Sequence, residues 1–233
     1  MIPKLNSNST VFPSPASANE DGVVAWGGDL APKRLYSAYR SGIFPWYGED
    51  SPLLWWSPDP RFVLEFSDFR LTKSLKKSLK RFSFGFDEFF DLVIQECANS
   101  PRKQEGTWLN AAMQKGYKEL HRLGLAHSVE CYSEGELVGG LYGVVVGGVF
   151  CGESMFSKKS DASKAALYVL VQHLQHWGYS FLDAQVYSGH LERLGAKQIP
   201  REQFLKKLQT ALKVAPEHRW SYESECVRIK ANS

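Results

Sequence analysis

The stretch AHSVECYSEGELVGGLYGVVVGGVFCGES, residues 126–154, decides the fold. It carries β-branched runs that are interrupted at Glu134-Gly135 and at Gly147-Gly148. Glycine between two such runs is typical of a tight hairpin turn, because glycine readily takes the positive φ angles that these turns need. The sequence therefore predicts three consecutive strands that pair as an antiparallel meander.

Helical patterns lie on both sides of this predicted meander. After it, residues 161–178 place Leu167, Leu170, Val171 and Leu174 on one helical stripe, and residues 179–187 return to strand composition. Further helices are predicted at residues 87–98, 109–124, 188–196 and 201–212. This order predicts an α+β fold with a mainly antiparallel sheet flanked by helices. It resembles the fold of the GCN5-related N-acetyltransferase group.

The first 60 residues differ in composition from the rest of the chain. They are rich in Pro, Gly and Trp, as in GIFPWYGEDSPLLWWSPDPR at 42–61. One helix is predicted there at residues 32–41, with proline in its first turn and Gly42 after its end. The sequence predicts a small N-terminal domain at residues 1–60 and a larger, acyltransferase-like domain at residues 61–233.

Composition excludes several classes of protein. The 233 residues carry a net charge of only +3, so any affinity for nucleic acid must come from local clustering of charge. No apolar run approaches the roughly 20 residues that a membrane-spanning helix requires. The four cysteines form no CxxC pair, and the N-terminus lacks a charged start followed by an apolar core. We expect a reduced, cytoplasmic protein.

A cluster of positive charge stands between residues 67 and 82. Leu71, Leu75 and Leu79 recur every four residues there, which predicts a basic amphipathic helix. Its cations are Lys73, Lys76, Lys77, Lys80 and Arg81, with no acidic residue interleaved. Such a face is either simply solvated or suited to binding phosphates.

Three polar residues are candidates for chemistry. Glu153 follows a hydrophobic strand, where a carboxylate could hold a cationic amine or move a proton, or could simply cap backbone N–H groups or pair with Lys158. Strand alternation puts Asp183 and Gln185 on one face. They could bond each other and a substrate amine, or line a solvated edge.

Other candidate sites are weaker. Cys151 with a histidine could form a thiol nucleophile, but the sequence shows no local signature of such a pair. His173 and His176 could ligate a metal ion, but no third ligand stands near them in the sequence, so no metal site is predicted. Trp46 and Trp108 lie in segments punctuated by Gly and Pro, where a ring could stack on an unpaired base or simply pack in the core.

Eight short motifs together resemble one family, the leucyl/phenylalanyl-tRNA protein transferases. The resemblance runs in order from about residue 12 to residue 201. The motifs are GGDL at 27–30, GIFPWY at 42–47, LLWWSPDPR at 53–61, EGTWL at 105–109, HSVE at 127–130, LVGGLYG at 137–143, FCGESMFS at 150–157 and LDAQV at 182–186.

The resemblance implies an activity. It implies transfer of leucine or phenylalanine, and less so methionine, from aminoacyl-tRNA to the N-terminal α-amino group of proteins that begin with Arg or Lys. This transfer marks the protein for degradation in the N-end rule pathway. The resemblance also implies that no metal and no coenzyme are used. Coenzyme-A-dependent relatives carry a glycine-rich loop that binds pyrophosphate before the corresponding helix, and the loop SKKSDASK at 157–164 has no glycine. A monomer is expected.

The resemblance also implies roles for individual residues. Gln185 would contact the reacting amine, Asp183 would orient Gln185, and Glu153 would bind the cationic acceptor. The terminal adenosine of tRNA would lie against Trp46 and Trp108, with Tyr117 nearby. The aminoacyl side chain would enter a pocket lined by Leu141, Phe150, Met155, Leu167, Leu170, Leu174 and Leu182. The basic helix would grip the tRNA backbone.

Two other functions remain open at this point. The fold order favours a coenzyme-A-dependent N-acyltransferase, although the glycine-rich pyrophosphate loop of such enzymes is missing. The tryptophans and the basic helix favour an RNA-binding module without catalytic activity, which would not require Glu153, Asp183 and Gln185.

Overall fold

The structure is a computed structural model that describes residues 1–6, 9–48, 51–100 and 109–227. Its strands are β1 Val23–Trp26, β2 Phe44–Pro45, β3 Leu54–Trp56, β4 Arg61–Leu64, β5 Ser83–Phe86, β6 Ala126–Ser133, β7 Glu136–Val146, β8 Val149–Ser157, β9 Phe181–Gln185 and β10 Lys197–Ile199. Its α-helices are α1 Pro32–Arg40, α2 Lys73–Leu79, α3 Phe90–Asn99, α4 Ala111–Arg122, α5 Ala162–His176, α6 Gly189–Arg193 and α7 Arg201–Ala211.

The predicted meander is confirmed as β6, β7 and β8. The strands pair antiparallel, with Ser133 opposite Glu136 at the first turn and Val146 opposite Val149 at the second. The two intervening residues of the first turn, Glu134 and Gly135, both have positive φ angles, 56° and 82°. This backbone conformation matches the twist of the flanking strands and fixes their register.

The meander belongs to a seven-stranded sheet in the order β10-β4-β9-β8-β7-β6-β5. Within the described sheet, β8 and β9 form the parallel pair and the other neighbours are antiparallel. Helix α5 makes the crossover that a parallel connection requires. Buried side chains of α1, α3, α4 and α7 cluster on one face of the sheet, and those of α2 and α5 on the other. The α+β fold with a mainly antiparallel sheet flanked by helices is therefore confirmed.

The N-terminal part forms its own three-stranded sheet in the order β1-β3-β2. Trp55 of β3 is fully buried, and it belongs to the same core cluster as Leu35 of α1 and Val144 of β7. We propose residue 60 as the boundary of a small N-terminal domain that shares this core with the larger part.

The basic helix is shorter than the sequence predicted. Helix α2 covers Lys73–Leu79, and a separate 3₁₀ turn covers Phe66–Asp68. The Thr72 side chain accepts a hydrogen bond from the Leu75 N–H at 3.2 Å, so Thr72 caps the helix at this point. Leu71 therefore lies outside the helix, and the predicted repeat of leucines overestimated its length.

The structure also corrects the predicted last strand. Residues 179–187 were predicted as one strand, but β9 ends at Gln185, whose φ angle is +64°. The short strands β4, β5 and β10 were not predicted, because each is only three or four residues long. Within the described residues, none of the helices has the length and apolar character needed to cross a membrane.

Candidate active site

The three candidate residues meet where β8 and β9 separate. The parallel pairing of these strands ends with Cys151 opposite Asp183. Glu153 and Gln185 each lie two residues beyond this last pair. The Gln185 Nε2 donates a hydrogen bond of 2.5 Å to Glu153 Oε1. Two residues that are 32 positions apart in the sequence thus form one polar pair.

Glu153 is held from its other side by two tyrosines. The Tyr117 hydroxyl donates to Glu153 Oε2 at 2.6 Å, and the hydroxyl of Tyr39 lies 2.8 Å from that of Tyr117. Burial is the main cause that raises the pKa of Glu153 to about 7, and the charge of Asp183 adds to it. The bonds from Tyr117, Tyr39 and Gln185 act in the opposite direction. The carboxyl group can therefore gain or lose a proton near neutral pH.

The structure shows Glu153 with partners other than Lys158. Its oxygens are taken by Tyr117 and Gln185, and Lys158 instead binds Glu96 at 2.6 Å. Cys151 is buried, and this burial raises the pKa of its thiol well above the ordinary value. A neutral, buried thiol is a poor nucleophile.

Asp183 forms a buried ion pair with Arg61 of β4. Arg61 Nε and Nη2 donate to its two carboxylate oxygens at 2.8 and 2.6 Å, and both side chains are 1% exposed. Asp183 Oδ1 also accepts the backbone N–H of Gln185 at 3.0 Å. The predicted contact between Asp183 and Gln185 thus runs through the Gln185 backbone, which it holds in its left-handed conformation. Sequence reasoning missed Arg61, whose partner lies 122 positions away.

A cavity of about 520 Å³ opens beside Glu153 and Gln185. The predicted substrate-binding residues that line it are Trp46, Leu141, Phe150, Met155, Leu167 and Leu182. Its walls are thus mainly apolar, while the carboxyl of Glu153 and the amide of Gln185 supply polar groups.

The structure does not bring the other predicted residues into this cavity. Leu170 and Leu174 are fully buried in the core around α5, because the cavity reaches only the beginning of that helix, at Ser163 and Leu167. Tyr117 is fully buried behind Glu153, so its ring cannot stack on a base in this structure. Trp108 lies outside the described residues.

The basic residues lie near the start of α5. Lys73, Lys77, Lys80 and Arg81 are exposed and Lys76 is half-buried. Arg81 Nη2 donates to Ser78 Oγ at 2.9 Å, and Ser78 Oγ donates to Asp161 Oδ2 at 2.9 Å. This chain of bonds joins the end of α2 to the residue that precedes α5.

Two groups of metal-ligand side chains lie elsewhere in the described structure. One is Asp87, His121 and His127, in which His127 Nδ1 already binds Asp87 at 2.6 Å. The other is His176, Glu223 and Cys226, so His176 does have potential co-ligands that its sequence neighbours did not reveal. None of these residues lines the cavity beside Glu153.

Comparison with known proteins identifies the family. Residues 63–209 match the model of the leucyl/phenylalanyl-tRNA protein transferase family, and residues 28–59 match the model of the N-terminal domain of these transferases. The chain belongs to this family. By its family it is an aminoacyltransferase enzyme.

Two relatives named leucyl/phenylalanyl-tRNA protein transferase illustrate the match. The one from Sulfurimonas denitrificans is 54% identical over 221 residues, which cover 94% of this chain and 97% of the relative. The one from Methylococcus capsulatus is 53% identical over 203 residues, which cover 85% and 86%. A solved GCN5-related N-acetyltransferase from Kribbella flavida matches with a TM-score of 0.35 and 11% identity, over 70% of this chain and 59% of that one.

Proposed function

We propose that this transferase moves leucine or phenylalanine, and less so methionine, from aminoacyl-tRNA to the N-terminal α-amino group of proteins that begin with Arg or Lys. The product would carry a degradation signal of the N-end rule pathway. The observation that carries the proposal is the pairing of Glu153 and Gln185 at the edge of a mainly apolar cavity. We further propose that the enzyme acts in the cytoplasm as a monomer.

The apolar part of the cavity would hold the side chain of the donor amino acid. Leu141, Phe150, Leu167 and Leu182 form walls without polar groups, and Met155 adds a flexible side chain that adapts to different shapes. An apolar pocket separates side chains that differ by one or two methylenes by only about 1 to 3 kcal/mol. This weak discrimination is consistent with acceptance of Leu, Phe and Met.

The reaction would be the aminolysis of an ester. The acceptor α-ammonium first gives up one proton. The pKa of Glu153, about 7, lies close to that of an α-ammonium group, so its carboxylate is suited to accept this first proton. The neutral amine then forms a bond to the ester carbonyl carbon, the bond from that carbon to the ribose oxygen breaks, and the nitrogen's second proton passes to the leaving ribose oxygen, which balances the step.

Gln185 would position the amine for this attack. Its Nε2 donates to Glu153, so its side-chain oxygen is the atom left to accept a hydrogen bond from the acceptor amine. Arg61 fixes the Asp183 carboxylate, which accepts a hydrogen bond from the Gln185 backbone N–H and so holds Gln185 in place. Because an aminoacyl ester is already activated, correct positioning supplies much of the rate.

A negative charge on Glu153 would also favour a cationic acceptor. A carboxylate with two fixed hydrogen-bond donors keeps its orientation, and a charge-assisted hydrogen bond to an ammonium or guanidinium group is about twice as strong as a neutral one. This attraction is the physical basis that we propose for the preference for Arg and Lys.

The tRNA would be bound by stacking and by charge. Trp46 is 39% exposed and lines the cavity, so its ring can face the terminal adenosine, with Trp108 as the proposed second platform. Lys73, Lys76, Lys77, Lys80 and Arg81 would grip the phosphates of the acceptor stem or D-stem without reading the bases.

The test is transfer of labelled leucine from Leu-tRNA to two peptides that differ only in their first residue. We expect label on the peptide that begins with Arg and none on the peptide that begins with Ala. Glu153→Gln should reduce transfer to the first peptide strongly while tRNA binding is retained. Equal labelling of both peptides would refute the proposed acceptor preference, and no labelling with intact tRNA binding would favour an RNA-binding function.

A further inference from the structure

One polar edge of the cavity is not used by the proposed chemistry. It is formed by Ser163 at the start of α5 and by Ser188 and His190 around α6. His190 Nε2 is buried, and it has no hydrogen-bond partner among the residues that the structure describes. A buried polar nitrogen without a partner costs free energy. Because His190 lines the cavity, this nitrogen is available to a bound ligand.

The charges around His190 indicate what kind of ligand this is. Burial is the main cause that lowers the pKa of His190, and the charges of Lys164 and Arg193 lower it further, whereas Asp161 raises it. The ring is therefore neutral at neutral pH, so it can donate one N–H. Lys164 Nζ binds Asp161 at 2.8 Å, so these two charges largely offset each other and Arg193 leaves an excess of positive charge near His190. A neutral N–H donor beside an excess of positive charge suits an anionic oxygen.

This edge is also continuous with the basic surface of α2. Arg81 binds Ser78, Ser78 binds Asp161, and Asp161 binds Lys164, so bonded contacts lead from the end of α2 to the first turn of α5. Ser163, next to Lys164, already lines the cavity. These contacts connect the basic surface of α2 to the polar edge of the cavity.

We propose that His190, flanked by Lys164 and Arg193, binds the phosphodiester that joins the last two nucleotides of the tRNA donor. This inference rests on the proposed function, which puts the aminoacyl group in the cavity. The phosphate of the terminal nucleotide lies only one sugar away from the hydroxyl that carries the amino acid. With the amino acid inside the cavity, that phosphate comes to lie at the rim.

The first experiment compares the binding of adenosine and of the dinucleotide cytidylyl-adenosine, which adds this phosphodiester, by calorimetry or ligand-observed NMR. The wild-type protein should prefer the dinucleotide, and His190→Ala should reduce that preference by about tenfold, the effect of one hydrogen bond to a charged group. His176→Ala is the matched control, because His176 is exposed at the far end of α5. It should keep the preference.

The outcomes separate the phosphate site from a structural role. Equal weakening of both ligands in His190→Ala would show a general disturbance of the cavity and overturn the proposal, as would an unchanged preference. His190→Gln, which retains a neutral N–H donor, should recover part of the preference.

A second measurement separates this inference from the proposed function. The ratio of kcat/KM for leucyl-tRNA to kcat/KM for leucyl-adenosine should fall by about tenfold in His190→Ala, because only the first donor carries the phosphate. If the wild type transfers no amino acid from either donor but prefers the dinucleotide in a His190-dependent way, the phosphate site stands and the proposed transfer fails. If transfer occurs but the ratio is unchanged, the phosphate site fails alone.

Discussion

Replacing Glu153 by Gln should change how the stability of the protein depends on pH. In the folded protein the pKa of Glu153 is raised from 4.5 to about 7. Between these two pH values the folded state holds a proton that the unfolded chain has lost. The free energy of unfolding of the wild type therefore falls as the pH rises through this window.

The size of the effect follows from the two pKa values. Their difference corresponds to about 3 kcal/mol, of which about 2.5 kcal/mol falls between about pH 5 and about pH 8. Glutamine does not titrate, so Glu153→Gln removes this contribution. The difference in unfolding free energy between variant and wild type should shift in favour of the variant by about 2.5 kcal/mol over that range. Lost hydrogen bonds add an offset that does not depend on pH.

Urea denaturation of both proteins at about pH 5 and about pH 8 measures this shift. Glu136→Gln is the control, because Glu136 is exposed at the first position of β7. Its stability difference from wild type should be the same at both pH values. A stability difference for Glu153→Gln that stays constant, or that moves in favour of the wild type at the higher pH, would refute the raised pKa assigned to the Glu153 carboxyl. The variant should lose transfer activity even where it is the more stable protein.

Three further predictions concern the other parts of the site. Lys76→Glu combined with Lys77→Glu should raise the KM for aminoacyl-tRNA and flatten its salt dependence, and an unchanged salt dependence would contradict phosphate binding by α2. Gln185→Ala should lower kcat and leave tRNA binding intact in a filter assay, so lost binding would argue against a positioning role. Arg61→Met should cost about 3 to 5 kcal/mol of unfolding free energy, because it leaves the Asp183 charge buried and unpaired. Adding Asp183→Leu should recover much of that stability but not the activity, whereas recovery of activity would contradict the proposed support of Gln185.

Local sequence signals were sufficient for the meander, whereas Glu153, Asp183 and Gln185 could be named as candidates but not assigned a role from the residues alone. The turns at Glu134-Gly135 and Gly147-Gly148 depend on two residues each, and such short-range preferences can be read from the chain. The same holds for the crossover helix α5, whose apolar stripe is long. Leu167 and Leu170 show the limit of this reasoning. Both lie on the same apolar face of α5, but Leu167 lines the cavity and Leu170 is buried in the core. Which of them reaches the cavity depends on how the helix packs on the sheet.

The contacts between the site residues could not be predicted from the sequence, because they depend on the pairing of strands that are far apart in the chain. Gln185 reaches Glu153 because β8 and β9 run parallel and then separate, and Arg61 reaches Asp183 because β4 pairs with β9. The residues next to Arg61 in the sequence do not indicate that its partner is Asp183. The length of α2 was misjudged for a local reason, since the cap at Thr72 competed with a leucine repeat that extends further back.

The ion pair of Arg61 and Asp183 has a consequence for biosynthesis. Arg61 is translated early and Asp183 late, and the pair also ties in the backbone oxygen of Gly42, which accepts from Arg61 Nη1 at 3.2 Å. An unfinished polypeptide on the ribosome therefore lacks the contact that orients Gln185. The paired arrangement of Glu153 and Gln185 can therefore form only after synthesis has passed residue 185.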